Sequence, residues 1–165
     1  MQRALSLTKL VMDLVRIRPA SLDDLAHILH HRRAMFSDMG YQDAATLDRM
    51  QATSEAFLVE SMPRGVYRGW LAETESGQVV AGGGIAIVPW PGSPEDPGPR
   101  RGWILNIYTE PEFRRRGIAK QIMGTILAWC RAEGFRAVGL HASAIGRPLY
   151  ESMGFKPTNE MRLYL

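Results

Sequence analysis

A short apolar segment that runs into a basic, glycine-containing turn and then into an amphipathic helix is the feature that most limits how this chain folds. Residues 104–109 read Ile-Leu-Asn-Ile-Tyr-Thr, and three consecutive arginines precede Gly117 in the turn 110–120. Beyond the turn, apolar side chains recur at four-residue steps, at Ile118, Ile122, Ile126 and Cys130. Strand-like and helix-like periods therefore follow one another directly, which predicts a strand, a turn and a helix in sequence.

The other segments predict an α/β (α+β) fold, a single domain with a mixed central sheet of about six to seven strands and about four flanking helices. Helical spacing follows Ser21 and recurs over 46–62, 118–133 and a short stretch that ends near Met153. Gly134 and Phe135 predict that the helix 118–133 ends in a Schellman motif. Strand patterns cover 15–18, 70–73, 79–88, 103–109, 137–142 and 160–165. This order excludes simple helical bundles and β-sandwiches.

Two further segments carry structural signals of their own. The run Gly82-Gly83-Gly84 interrupts a strand pattern and predicts a bulge or a close approach by another group. Residues 89–99 hold five prolines and two glycines and therefore predict a loop. A mobile flap and simple packing are both compatible with that composition.

Composition limits the function classes. The 165 residues are enough for one buried core, which we assign to 15–165 after an N-terminal extension, 1–14. The net charge is only +3, and acids are mixed with bases outside the arginine cluster, which disfavours nucleic acid as a partner. No apolar stretch is long enough to span a membrane. The single Cys130 excludes an internal disulfide, and we expect a cytoplasmic protein.

The turn before Ile118 has the chemistry of an anion site. The first turn of a helix presents amide N–H groups without internal partners, and the helix dipole adds positive potential there. Gly117 and Ala119 remove side-chain bulk where an anion has to approach. A solvated basic helix start explains the turn equally well, and neither common nucleotide-binding glycine pattern is present. The residues alone predict an anion without identifying it.

Two motifs resemble those of one family. Arg114-x-x-Gly117-x-Ala119 resembles the Q/R-x-x-G-x-G/A acetyl-CoA motif of the GNAT (GCN5-related N-acetyltransferase) superfamily, which lies between the fourth strand and the third helix. Residues 149–155, Leu-Tyr-Glu-Ser-Met-Gly-Phe, are similar to the family's L-Y-E-x-x-G-F segment, and 15–24 are similar to its opening strand and helix. The resemblance covers residues 15–165.

The resemblance implies acetyl-CoA as co-substrate, with no metal. Backbone amides of 115–120 would hold the pyrophosphate, and 107–109 would pair with the pantetheine arm while a main-chain N–H polarises the acetyl carbonyl. Ser143 stands where many members carry Asn, so the resemblance is weaker there. The coenzyme-binding residues implied are Ile107, Tyr108, Thr109, Arg114, Arg115, Arg116, Gly117, Ile118, Ala119, Lys120, Ser143 and Tyr150.

The same resemblance implies direct attack of an amine on the thioester, with Tyr150 as the general acid that protonates the departing thiolate. A phenol is chemically able to do this, although a tyrosine packed on a short helix has the same sequence signature. The group that accepts the amine's proton is open. Asn106 is the catalytic candidate and shares a strand face with Tyr108, and other options are Glu73, Asp38 and His141, all of which also suit structural roles.

The acceptor is expected to be a primary amine of a small molecule or peptide. In this family the first two helices wall the acceptor side, which implies the segment 35–41 and makes Asp38 and Tyr41 the substrate candidates. Asp38 and Asp43 would attract a cationic amine, or would simply solvate helix ends. A homodimer is possible by family tendency. A non-catalytic acyl-CoA-binding module and a nucleic-acid-binding domain are the alternatives, and the second lacks a surface of interleaved basic and aromatic residues.

Overall fold

The computed structural model describes residues 15–165, so the predicted extension 1–14 lies outside the described residues. Its sheet has five strands in the order β1-β2-β3-β4-β5, antiparallel except for the parallel pair β4 and β5. The strands are β1 (Val15–Pro19), β2 (Tyr67–Thr74), β3 (Val79–Pro89), β4 (Arg100–Thr109) and β5 (Val138–Leu140).

Helices cover both faces of this sheet. They are α1 (Leu25–Asp38), α2 (Ala44–Ser61), α3 (Ile118–Ala132) and α4 (Arg147–Ser152). A Cβ atom on Gly82 would meet His31 of α1, whereas one on Gly83 would meet Ile122 of α3 at 3.0 Å. Since neighbouring strand residues point to opposite faces, α1 and α3 lie on opposite sides of the sheet. The single mixed α/β domain is therefore confirmed for the described residues.

The amphipathic helix predicted from four-residue spacing is α3. Its side chains at 118, 122, 126 and 130 are all buried against the sheet. Gly134 has a φ of 83°, and the Phe135 N–H donates to the Cys130 carbonyl at 3.0 Å, so the predicted Schellman ending is present. This firm packing holds the helix start, and therefore the arginine turn, against β4.

The predicted strand 160–165 is wrong, and the sheet has five strands rather than six or seven. A strand needs a ladder partner, and β5, the neighbour beside this segment, is only three residues long. Side chains hold the segment there instead: Glu160 and Arg162 bond His141 Nε2 at 2.6 and 3.0 Å. None of the helices in the described part of the chain is long and apolar enough to cross a membrane.

The glycine run in β3 marks both a bulge and close packing. The register between β3 and β4 shifts between Gly82 and Gly84, and opposite this shift Asn106 adopts a left-handed φ of 62°. The predicted bulge is thus confirmed, with the extra residue in β4. Residues 89–99 form the predicted loop, which Asp96 ties to the start of β5 by accepting from the Arg136 N–H at 3.1 Å.

Replacing Gly84 by alanine should destabilise the fold strongly. The new Cβ would lie 2.7 Å from the Arg68 carbonyl oxygen and would collide with the hydroxyl of the buried Tyr67 side chain. Overpacking of this kind costs about 1–3 kcal/mol of unfolding free energy. The matched control is G124A on α3, where the new Cβ meets nothing within 4 Å and a helix interior gains about 0.5–1 kcal/mol. Chemical denaturation measures both; G84A as stable as G124A would contradict this packing.

Candidate active site

The edge of β4 that faces β5 is open over half its length. β5 pairs with β4 only at Gly102, Trp103 and Ile104. In the described part of the chain no strand pairs with that edge from 105 to 109, although β3 pairs with the other edge as far as Thr109. Unpaired N–H and C=O groups along such an edge are free to bind an extended ligand.

A cavity of about 580 Å³ is lined on β4 by Arg101 and Trp103, ahead of the open length of the strand. Its lining comes from the end of α1, from β4, from β5, from α4 and from the segment 155–164, and includes Met39, Trp103, Leu140, Ser143 and Tyr150. Its size falls within the roughly 300–1,000 Å³ that small-molecule sites occupy. The structure therefore brings the predicted Ser143 and Tyr150 together at one cavity.

The arginine turn leads from the open edge of β4 to α3. A 3-10 turn at Pro111–Phe113 is followed by two left-handed residues, Arg115 at φ 65° and Gly117 at φ 78°. The first hydrogen bond of α3 runs from the Gln121 N–H to the Gly117 carbonyl at 3.1 Å, so the amides of 118–120 lie ahead of the helical ladder. The space a Cβ of Gly117 would take contains no atom within 4 Å. The turn is open to a ligand.

Two of the three arginines hold the turn in place. Arg114 donates to the Thr109 carbonyl at 2.9 Å and to Asp38 at 2.5 Å, and its guanidinium lies 5.4 Å from the Tyr108 ring. Arg116 donates to the Glu112 carbonyl at 2.8 Å. These guanidinium groups therefore serve the loop's own structure, and the backbone amides of 118–120 are the groups of the turn that lie ahead of the helical ladder.

Tyr150 lies on α4 with its ring half-buried, 6.0 Å from the Phe155 ring. Burial raises the pKa of its phenol above the ordinary 10.0, so the group is protonated at neutral pH and able to donate. The chain approaches it closely at Gly146, where a Cβ would be 2.9 Å from the tyrosine ring. Ser143 Oγ accepts from the Gly146 N–H at 3.1 Å, so this hydroxyl stabilises the turn before α4.

The candidate proton acceptors are spread over the molecule. Asn106 is buried at the bulge, where its Oδ1 accepts from Arg32 at 2.7 Å and its Nδ2 donates to Tyr67 at 3.1 Å. Glu73 accepts from Arg18 at 2.7 Å and from Arg16, and these bonds lower the pKa of its carboxyl. His141 lines the larger cavity, with its ring 4.7 Å from Trp103. Of the three, His141 lines the larger cavity, Asn106 lines a smaller one, and Glu73 on β2 lines neither.

The two substrate candidates lie at the end of α1 with different surroundings. The Asp38 carboxylate is paired with Arg114, so it belongs to the arginine turn. Tyr41 is 53% exposed and packs edge-on against the Phe36 ring at 5.7 Å. Asp43 caps α2 by accepting from the Thr46 N–H at 2.8 Å. Tyr41 therefore presents its exposed surface to solvent, whereas the carboxylates of Asp38 and Asp43 each have a hydrogen-bond partner.

Two neighbouring residues on α1 were missed. His31 is buried against the Tyr108 ring at 5.3 Å, its Nδ1 has no partner within residues 15–165, and burial lowers its pKa to about 4. Arg32 contacts Asn106 and also donates to Ser54 at 2.8 Å. The available signal was a charge within the apolar stripe of α1, whose other members are Ile28, Leu29 and Phe36.

Cys130 is not placed for nucleophilic chemistry. Its thiol is buried on the core face of α3, and burial raises its pKa to about 11. A thiol with that pKa is protonated at neutral pH, whereas the thiolate is the reactive form. The residue is part of the core.

Residues 28–155 match the acetyltransferase (GNAT) family model, and the chain belongs to this family. The resemblance seen in the two sequence motifs is thereby confirmed. A GCN5-related N-acetyltransferase from Ralstonia eutropha JMP134 is similar in structure, with a TM-score of 0.86 and 38% identity over 92% of this chain and 99% of that chain. The fold and the family are therefore shown by sequence and structure together.

Two other relatives bear on the chemistry. The structure of a predicted acetyltransferase with acetyl-CoA from Clostridium acetobutylicum has a TM-score of 0.82 and 26% identity, over 92% of this chain and 96% of that chain. N-acetyltransferase 8 of Homo sapiens is 33% identical over 96 residues, which are 55% of this chain and 39% of the human protein. The match thus spans less than half the length of that curated relative.

Proposed function

We propose that this protein is an N-acetyltransferase that moves the acetyl group of acetyl-CoA to a primary amine of a small molecule or peptide. The observation that carries the proposal is the continuous path from the open edge of β4 into the left-handed turn before α3. A ligand with an extended arm and a diphosphate fits this path. The edge offers unpaired main-chain N–H and C=O groups to the arm, and the turn offers amide N–H groups ahead of the helix to the diphosphate. The relative with acetyl-CoA supports the choice of ligand.

On this proposal, the backbone does most of the binding. Amides of 115–120 hold the pyrophosphate, with the α3 dipole adding to the attraction. The main chain of Ile107 to Thr109 pairs with the pantetheine arm, and one N–H of that edge donates to the acetyl carbonyl as negative charge develops on its oxygen. Arg114 fixes the position of the turn through Thr109 and Asp38.

The reaction is a direct acyl transfer. The neutral amine attacks the thioester carbonyl carbon, a C–N bond forms, and the C–S bond breaks. Tyr150 donates its phenol proton to the departing thiolate sulfur, and the amine's proton leaves to water or to a nearby acceptor. Tyr150 then regains a proton from solvent, so protons balance over the cycle and no covalent enzyme intermediate forms.

The test has two stages. Acetyl-CoA at about 1 mM should raise the melting temperature clearly, whereas ATP at the same concentration should do so much less if binding needs more than negative charge. Release of free CoA thiol is then followed with polyamines, aminoglycosides, amino acids and peptides as acceptors. No melting shift with acetyl-CoA would overturn the proposal. A shift without thiol release from an amine-rich cell extract would favour the alternative, a non-catalytic acyl-CoA-binding module.

The cytoplasmic location and the possible homodimer remain predictions from the sequence. An assay of the full-length chain by light scattering addresses the second. Neither is needed for the chemistry above, since every residue invoked comes from one chain.

A further inference from the structure

A second cavity, of about 250 Å³, lies between α1, α2 and β4. It is smaller than a pocket that encloses a whole drug-sized ligand, so it suits one end of a small molecule. Thr53 and Phe57 are exposed at its rim, which places it at the surface. Most of its exposed surface is apolar, and only one lining residue is charged; the lining includes Arg32, Thr53, Ser54, Phe57, Leu105 and Asn106.

The charged group, Arg32, lacks an acidic partner. Its Nε donates to Ser54 at 2.8 Å and its Nη1 to Asn106 Oδ1 at 2.7 Å, while its guanidinium lies 5.0 Å from the Phe36 ring. Within residues 15–165 no Asp or Glu carboxylate forms an ion pair with it. Two of five N–H donors are used, so three remain for a ligand. The adjacent Arg33 differs, since it pairs with Asp48 at 2.8 Å.

A purely structural role does not explain this arrangement. Taking a guanidinium out of water is costly unless an opposite charge compensates it, and burial accordingly lowers the pKa of Arg32. A partly buried cation that faces a cavity is therefore suited to a ligand that brings the missing negative charge.

We propose that Arg32 binds a carboxylate of the acceptor, so that the acceptor is an amino-acid-like amine. The inference rests on the proposed function and specifies its substrate class. One guanidinium fork matches one carboxylate, and the small apolar cavity offers no second cation for a doubly charged phosphate. Arg32 bonds Asn106, which directly precedes Ile107 on β4, where the thioester arm is proposed to lie. When the carboxylate of an acceptor binds Arg32, an amine a few bonds from that carboxylate is therefore held towards the proposed position of the acetyl group.

The test compares acceptors that differ only in the carboxylate. Pools of L-amino acids and of their carboxamides are supplied with acetyl-CoA, and CoA thiol release is followed. Wild-type protein should prefer the carboxylate pool by at least about 10-fold in kcat/KM, as loss of a charged hydrogen-bond partner predicts. R32Q should lose that preference while retaining transfer to carboxamides, and R32K should restore part of it. R33Q is the matched control on the same helix and should behave as wild type.

A binding measurement covers the case in which neither pool is turned over. The Arg32 side-chain Nε–Hε signal, assigned by its loss in R32K, should shift with the carboxylate pool and not with the carboxamide pool. Equal transfer to both pools, or a preference that survives in R32Q, overturns the proposal. The proposal is also overturned if neither turnover nor an NMR shift is seen while acetyl-CoA still raises the melting temperature, and that result leaves the proposed function intact. If acetyl-CoA does not raise the melting temperature of the wild-type protein, the proposed function itself is overturned.

Discussion

Acetyl-CoA is expected to bind A119E at least about 100-fold more weakly than the wild-type protein. Ala119 is the second residue of α3, directly after the open turn, so the new carboxylate would face the proposed diphosphate. One pair of like charges about 5 Å apart at an effective dielectric constant of about 20 costs roughly 3 kcal/mol, which corresponds to more than 100-fold in affinity. The dissociation constant for acetyl-CoA, measured by isothermal titration calorimetry at fixed ionic strength, checks this.

The same substitution should leave the fold intact, because a carboxylate in the first turn of a helix interacts favourably with the dipole. Weak binding together with an unchanged or slightly raised melting temperature therefore locates the defect in the ligand site. A128E places the same side chain at an exposed position of α3 away from the turn, and its affinity should match wild type. Wild-type affinity in A119E would mean that the diphosphate does not lie on these amides.

Removing the Tyr150 hydroxyl should lower kcat by about 100-fold, the lower part of the range for a general acid. Y150F keeps the ring, so the contact with Phe155 persists and acetyl-CoA affinity should change little. Because the proton is needed at the departing sulfur, the loss should appear in kcat rather than in coenzyme binding. Steady-state kinetics with any productive amine and direct acetyl-CoA titration separate the two quantities.

The pH profile gives this prediction a second readout. The protonated phenol is the active form, and burial raises its pKa above 10.0, so ionisation of the phenol should lower wild-type kcat only at alkaline pH, after deprotonation of the amine has raised it. Y150F should lack that alkaline decline. Retention of wild-type kcat in Y150F would assign the residue to packing alone.

Local periodicity was enough to predict most of the fold. The four-residue spacing of α3 and its glycine ending both survive in the structure, because each depends on contacts within a few residues in sequence. The arginine turn was predictable for the same reason. The strand 160–165 failed because strand formation depends on a distant partner, and β5 is too short to supply one.

The acceptor side of the site was less accessible from sequence. Asn106 and Tyr108 were assigned to one face by simple alternation, and both do face α1. The bulge was predicted in β3 from its glycines, whereas the extra residue lies in β4 at Asn106. Arg32 lies in the helical segment that follows Ser21, and the sequence predicted no separate role for it. The role proposed for Arg32 depends on which carboxylates lie near it in space, and no local sequence pattern predicts those contacts.

The extra residue at Asn106 divides β4 into two lengths whose side chains alternate out of phase. Leu105 and Asn106 both line the small cavity on the α1 and α2 side, whereas Ile107 contacts α3 residues on the other. The two lengths of β4 can therefore be engineered separately. Side chains before the bulge can be redesigned for new acceptors while the residues after it keep their orientation. A one-residue deletion at the bulge, by contrast, would exchange the two faces of everything from Ile107 to the arginine turn.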